Sequence, residues 1–84
     1  MTAKEVAALK KFAKIACKEN GIEVKEKDMT LIEWEFGTNG PRYVMIRNNK
    51  NFDECQCYYD PGYKTEDHNS CYDVVVIPET YSFW

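Results

Sequence analysis

Four side chains in the second half of the chain could do chemistry together: Cys55, Cys57, His68 and Cys71. Cys55-x-Cys57 followed by His68-x-x-Cys71 supplies three thiols and one imidazole, the ligand set of a structural zinc site. The spacing works against that reading. Cysteines two residues apart on a flat strand share a face, but their Cβ atoms stand about 7 Å apart. Neighbouring tetrahedral ligands need a closer approach, which only a bulge would supply. The competing reading makes Cys55 and Cys57 small core hydrophobes and His68 a solvated loop residue.

The same residues could serve a thiol enzyme. His68 is the only histidine and therefore the ready general base near neutral pH. Cys71, three residues on, could be its nucleophile. Nothing in the sequence orients the imidazole or builds an oxyanion site. The 14 acidic residues include no spacing that singles out an acid–base pair. A phosphate-binding glycine loop, a dinucleotide fingerprint and a His-Glu-x-x-His helix are all absent from the sequence. Four cysteines would allow disulfides, but Cys17 falls on a helix and nothing marks a secreted chain. The residues therefore predict no catalytic group, no resident metal and no cofactor. A zinc-stabilised module using Cys55, Cys57, His68 and Cys71 and a small thiol enzyme using Cys71 and His68 stand as alternatives.

These side chains are positioned by a hairpin over Met29–Asn48. Ile32, Trp34 and Phe36 alternate with Glu33 and Glu35, the period of a half-buried strand. Val44 and Ile46 alternate with Tyr43 and Met45 on the return strand. A three-residue loop, Thr38-Asn39-Gly40, with Gly40 at the left-handed position of a bulged turn, sets Trp34 beside Val44 and Ile32 beside Ile46. A slip of one residue would exchange the two faces, so the apolar count selects this register.

The other elements follow from local signals. Thr2-Ala3-Lys4-Glu5 matches a capping box. The helix it opens runs to about Glu19, with Val6, Leu9, Phe12, Ala13 and Ala16 on one face and Cys17 at its edge. Asn20-Gly21 stops it. Ile22–Lys25 is a short strand or an extended connector. Asn48–Asn51 is a turn into a third strand over Phe52–Tyr59. An even turn places Cys55 beside Val44 and sends Cys57 to the same face. Asp60-Pro61-Gly62 is a turn, residues 63–70 form a polar loop, and residues 72–77 form a last strand. Its run Val74–Ile77 suggests burial on both faces or an inner place in the sheet. The aromatic tail from Thr80 to Trp84 packs back on the domain.

The expected fold is one α+β domain over residues 1–84. One N-terminal helix packs on a four-stranded, mostly antiparallel sheet, with a fifth short strand possible. The inner face carries Ile32, Trp34, Val44, Ile46, Cys55 and Cys57, with Tyr59 at its end. One helix cannot cover both faces of such a sheet, so Leu31, Glu33, Glu35, Tyr43, Met45, Glu54 and Tyr58 are expected on the open one.

The formal net charge is −3, but it is unevenly spread. Residues 1–19 hold five lysines and two glutamates, and the rest of the chain is acidic. An acidic balance with only two arginines, Arg42 and Arg47, argues against direct nucleic-acid binding. No apolar run is long enough to span a membrane, and the expected location is the cytoplasm. Carboxylates interleaved with Tyr and Met suit docking onto a basic protein surface. The functional expectation is a non-enzymatic protein-binding module, monomeric or homodimeric, that binds through Glu33, Glu35, Tyr43, Met45, Glu54 and Tyr58. In size and composition the chain resembles the small inhibitors of phages and mobile elements. That resemblance implies a partner whose basic surface handles nucleic acid.

Overall fold

The computed structural model describes residues 1–59, 73–78 and 81–84. Helix α1 spans Ala3–Glu19. A single 3-10 turn over Glu26–Asp28 leads into strands β1 (Met29–Gly37), β2 (Gly40–Asn48), β3 (Glu54–Tyr58) and β4 (Asp73–Val76). The sheet order is β1-β2-β3-β4. The first two pairings are antiparallel and β3–β4 is parallel. This is the expected α+β architecture, with a mixed sheet. Ile22–Lys25 is a connector and not a strand. The turn expected at Asp60-Pro61-Gly62, the loop over residues 63–70, and both His68 and Cys71 lie outside the described residues.

Both ends of α1 are built from the predicted signals. The Glu5 amide donates to Thr2 Oγ1 (3.1 Å), and Glu5 Oε1 accepts from the Thr2 amide (2.8 Å). At the other end Gly21 adopts φ +76°. Its amide donates to the Lys18 carbonyl (3.1 Å), and the Ile22 amide donates to the Cys17 carbonyl (2.8 Å). This pair of bonds is a Schellman motif, which needs a left-handed residue where Gly21 stands. Ile22 then packs against the core.

The hairpin register is correct at its centre, and for a different reason. Trp34 pairs with Val44, Glu33 with Met45 and Glu35 with Tyr43. Yet Gly37 pairs with Gly40, so the loop is the two residues Thr38-Asn39 and not the three residues expected. The one-residue shift comes instead from a bulge in β2, where Arg42 is extra between the Tyr43–Glu35 and Pro41–Phe36 pairs. A second bulge, at Ile32, restores the original register, so that Leu31 pairs with Ile46. Leu31 therefore joins the helix-side core, and Ile32 packs on the opposite face with Tyr43, Met45 and Tyr58. The expected places of Leu31 and Ile32 are exchanged.

In the second hairpin Val44 pairs with Cys57 and Ile46 with Cys55. Both cysteines are on the expected face, but Cys55 lies beside Ile46 and not beside Val44. The core gathers Leu9, Phe12, Ala13, Ala16 and Cys17 of α1 against Val44, Ile46, Cys55, Cys57, Val75 and Ile77. Strand β4 stands at the end of the strand order and not inside the sheet. Val75 packs in the helix-side core and Val76 against the second cluster.

The tail packs back as expected. The Phe83 amide donates to the Asn39 carbonyl (2.9 Å). The Phe83 ring stands edge-on to Phe12 at 5.5 Å, and Trp84 stacks on Phe36 at 5.4 Å. Lys4 Nζ sits 5.4 Å above the Trp84 ring, a cation–π contact between the first turn of α1 and the last residue.

Candidate functional site

Helix α1 lies over β2, β3 and β4, where the fully buried Val44, Cys57 and Val75 meet Leu9, Phe12 and Ala13. Strand β1 is an end strand of the sheet, with Met29 buried in the helix-side core and Leu31 and Phe36 packed against it. Trp34 differs from them. Its pairing with Val44 puts it on the helix side, as predicted, but it remains 43 % exposed. The expectation that Trp34 belongs to the inner core is corrected: it stands outside the buried cluster that the helix covers.

Glu33 and Glu35 flank Trp34 and point to the other face, and both are exposed. Glu33 Oε2 accepts a hydrogen bond from the Tyr43 hydroxyl at 3.3 Å, which holds this carboxylate against β2. The segment Glu33-Trp34-Glu35 thus presents a partly exposed indole on the helix side and two carboxylates on the opposite side of an end strand. Among the described residues nothing pairs with the outer edge of β1.

The predicted docking face fares differently. Tyr43 and Met45 are 4 % exposed and Tyr58 is 2 % exposed, so these three are interior residues and not surface anchors. They form a second apolar cluster with Ile32 and Val76, and Gln56 beside them is equally buried. Glu54 is half-buried and accepts from Arg47 Nε and Nη2 at 3.2 and 3.0 Å. That pairing commits its carboxylate within the fold. Of the six predicted contact residues, only Glu33 and Glu35 stand exposed. The exposure of Trp34 was missed because alternation assigns a face and does not say how far that face is covered at each position.

Of the four side chains of the thiol constellation, Cys55 and Cys57 lie among the described residues. Cys55 and Cys57, 2 % and 0 % exposed, are thiols inside the core, and Cys17 is equally enclosed. No cluster of metal-ligating side chains is found among the described residues. Two open hollows, about 330 and 360 Å³, flank the connector after α1. Lys14 and Lys18 overlook Ile22 and Val24 in the first; Asp28, Asn48 and Lys50 line the second. Among the described residues no helix is long and apolar enough to cross a membrane. Compared with protein-family models, with curated proteins and with solved structures, the chain matches none.

Proposed function

We propose that this chain is a non-enzymatic protein-binding module that docks on a basic surface of its partner through the outer strand β1. The observation that carries this reading is Trp34, 43 % exposed, on an end strand whose neighbouring Glu33 and Glu35 are exposed on the opposite side. Tryptophan is an efficient interface anchor because one rigid ring buries a large area at little entropic cost. Flanking carboxylates steer a cationic partner and disfavour an acidic one. A small inhibitor of phage or mobile-element type, acting in the cytoplasm on a nucleic-acid-handling host protein, would use such a surface.

The test is charge reversal. Glu33→Lys with Glu35→Lys should weaken capture of the partner from the native host and flatten the dependence of that capture on salt. Partner capture that is unchanged in strength and in salt response would remove the reading.

A further inference from the structure

We infer that the partner enters as an extended segment with Lys or Arg at alternate positions, added to the outer edge of β1 as a fifth strand. This rests on the docking surface proposed above and specifies how it is occupied.

Strand β1 is nine residues long and is paired on one side only among the described residues. An end strand presents a row of N–H and C=O groups to whatever chain lies alongside, and an extended segment can satisfy them as a sheet does. The side chains then determine which segment is accepted. Residues directly opposite in paired strands share a face and stand within about 5.5 Å. An added strand therefore sets alternate residues against Glu33 and Glu35 on the face away from α1. The residue between them meets Trp34 on the helix side. Cationic residues at those alternate positions and an apolar one between them complement what β1 displays.

The same geometry disfavours a second copy of this chain. Antiparallel pairing of β1 with its copy, centred on Glu33, Trp34 or Glu35, places a glutamate opposite a glutamate. Like charges directly opposite destabilise a sheet. The two acids thus guard the edge against self-association and leave it open to a basic strand.

The probe is a capped seven-residue peptide of alternating Lys and Val, titrated against the full chain by NMR. Two further versions carry N-methyl groups on every second backbone nitrogen, one version for each peptide edge. Strand addition predicts slowed exchange of β1 amides with the unmodified peptide. It also predicts a loss of about tenfold or more in affinity when the edge facing β1 is methylated, and little change when the other edge is. Glu33→Gln with Glu35→Gln should weaken the unmodified peptide by a similar factor. Equal affinity for all three peptides, with no change in β1 exchange, would overturn strand addition. Charge-dependent binding of cytochrome c, a folded basic protein, would in that case keep the docking surface. Indifference of both probes to Glu33 and Glu35 would overturn the two readings together.

Discussion

A Cβ added to Gly40 would lie 2.8 Å from the Cβ of Phe83. The hairpin end and the C-terminal tail touch at that point, and the Asn39 carbonyl holds the Phe83 amide beside it. Gly40 also has φ +117°, so an alanine there meets both a strained backbone and a collision. Gly21 has φ +76°, with nothing within 4 Å of its would-be Cβ. Gly21→Ala should cost about 1 kcal/mol from backbone strain alone. Gly40→Ala should cost clearly more, because the tail must also move. Urea denaturation of the two variants gives the ordering, and equal losses would mean that the tail does not press on the hairpin.

The bulge at Ile32 makes neighbouring residues serve opposite faces. Leu31 packs on the helix-side core and Ile32 on the cluster of Tyr43, Met45 and Tyr58. In either case the side chain is half-buried. Leu31→Ala and Ile32→Ala should therefore each lose about 1–2 kcal/mol, below the range for fully buried aliphatics. In a regular strand with one wet face, one of the two would be expendable. Equilibrium unfolding that finds a cost at only one position would contradict the bulge.

These residues also mark what could be read from the sequence. The helix, its caps and the two faces of β2 and β3 were legible because each follows from local spacing. Thr2 and Glu5 stand three apart, and Val44, Ile46, Cys55 and Cys57 keep strict alternation. The bulges at Ile32 and Arg42 were not legible. An extra residue leaves no mark in a strand whose both faces carry apolar side chains, as Leu31 and Ile32 do. The burial of Tyr43, Met45 and Tyr58 was missed because one helix was assumed to leave the opposite face wet. The exposure of Trp34 was not legible because alternation assigns a face and does not encode how far that face is covered at each position.

The capping box should give the helix an acid-sensitive start. Glu5 has its carboxyl lowered from the usual 4.5, chiefly because the Thr2 amide donates to it, with the Thr2 side chain and the N-terminal charge adding to the effect. A group whose folded pKa is depressed stabilises the fold above its unfolded pKa. That contribution is lost as pH falls through the folded pKa, on the acid side of the ordinary glutamate range. Glu5→Gln keeps the reciprocal hydrogen bonding and removes the titration. The stability difference between wild type and E5Q, followed by circular dichroism in urea, should shrink as the solution is acidified. A difference that stays constant from neutral to acid pH would show that the carboxylate adds nothing.

Cys57 offers a direct choice between core filling and ligation. It is fully buried, pairs with Val44 and belongs to the main core. Cys57→Val keeps an apolar side chain of similar size and should change stability by less than about 1.5 kcal/mol. Cys57→Ser puts a hydroxyl in the same place and should cost about 1–3 kcal/mol. A zinc ligand would behave otherwise: both variants would lose the metal, and chelator would unfold the wild type. Thermal melts of the three proteins with and without chelator separate the two cases.

Trp34 should matter to binding far more than to folding. Phe12 is the contrasting residue: it is fully buried and edge-on to both Tyr59 and Phe83 at 5.0 and 5.5 Å. Phe12→Ala should cost about 3–5 kcal/mol of stability. Trp34→Ala, at a site already 43 % exposed, should cost less than about 1 kcal/mol while removing about 2 kcal/mol or more of partner affinity. The chain has only two tryptophans, so Trp84→Phe leaves Trp34 as the sole indole reporter. In that variant the free protein should emit at long wavelength and be quenched readily by acrylamide. Saturation with a basic partner should shift the emission to the blue and protect it. Emission that is already blue and protected in the free chain would place Trp34 inside the fold, and β1 would then lose its anchor.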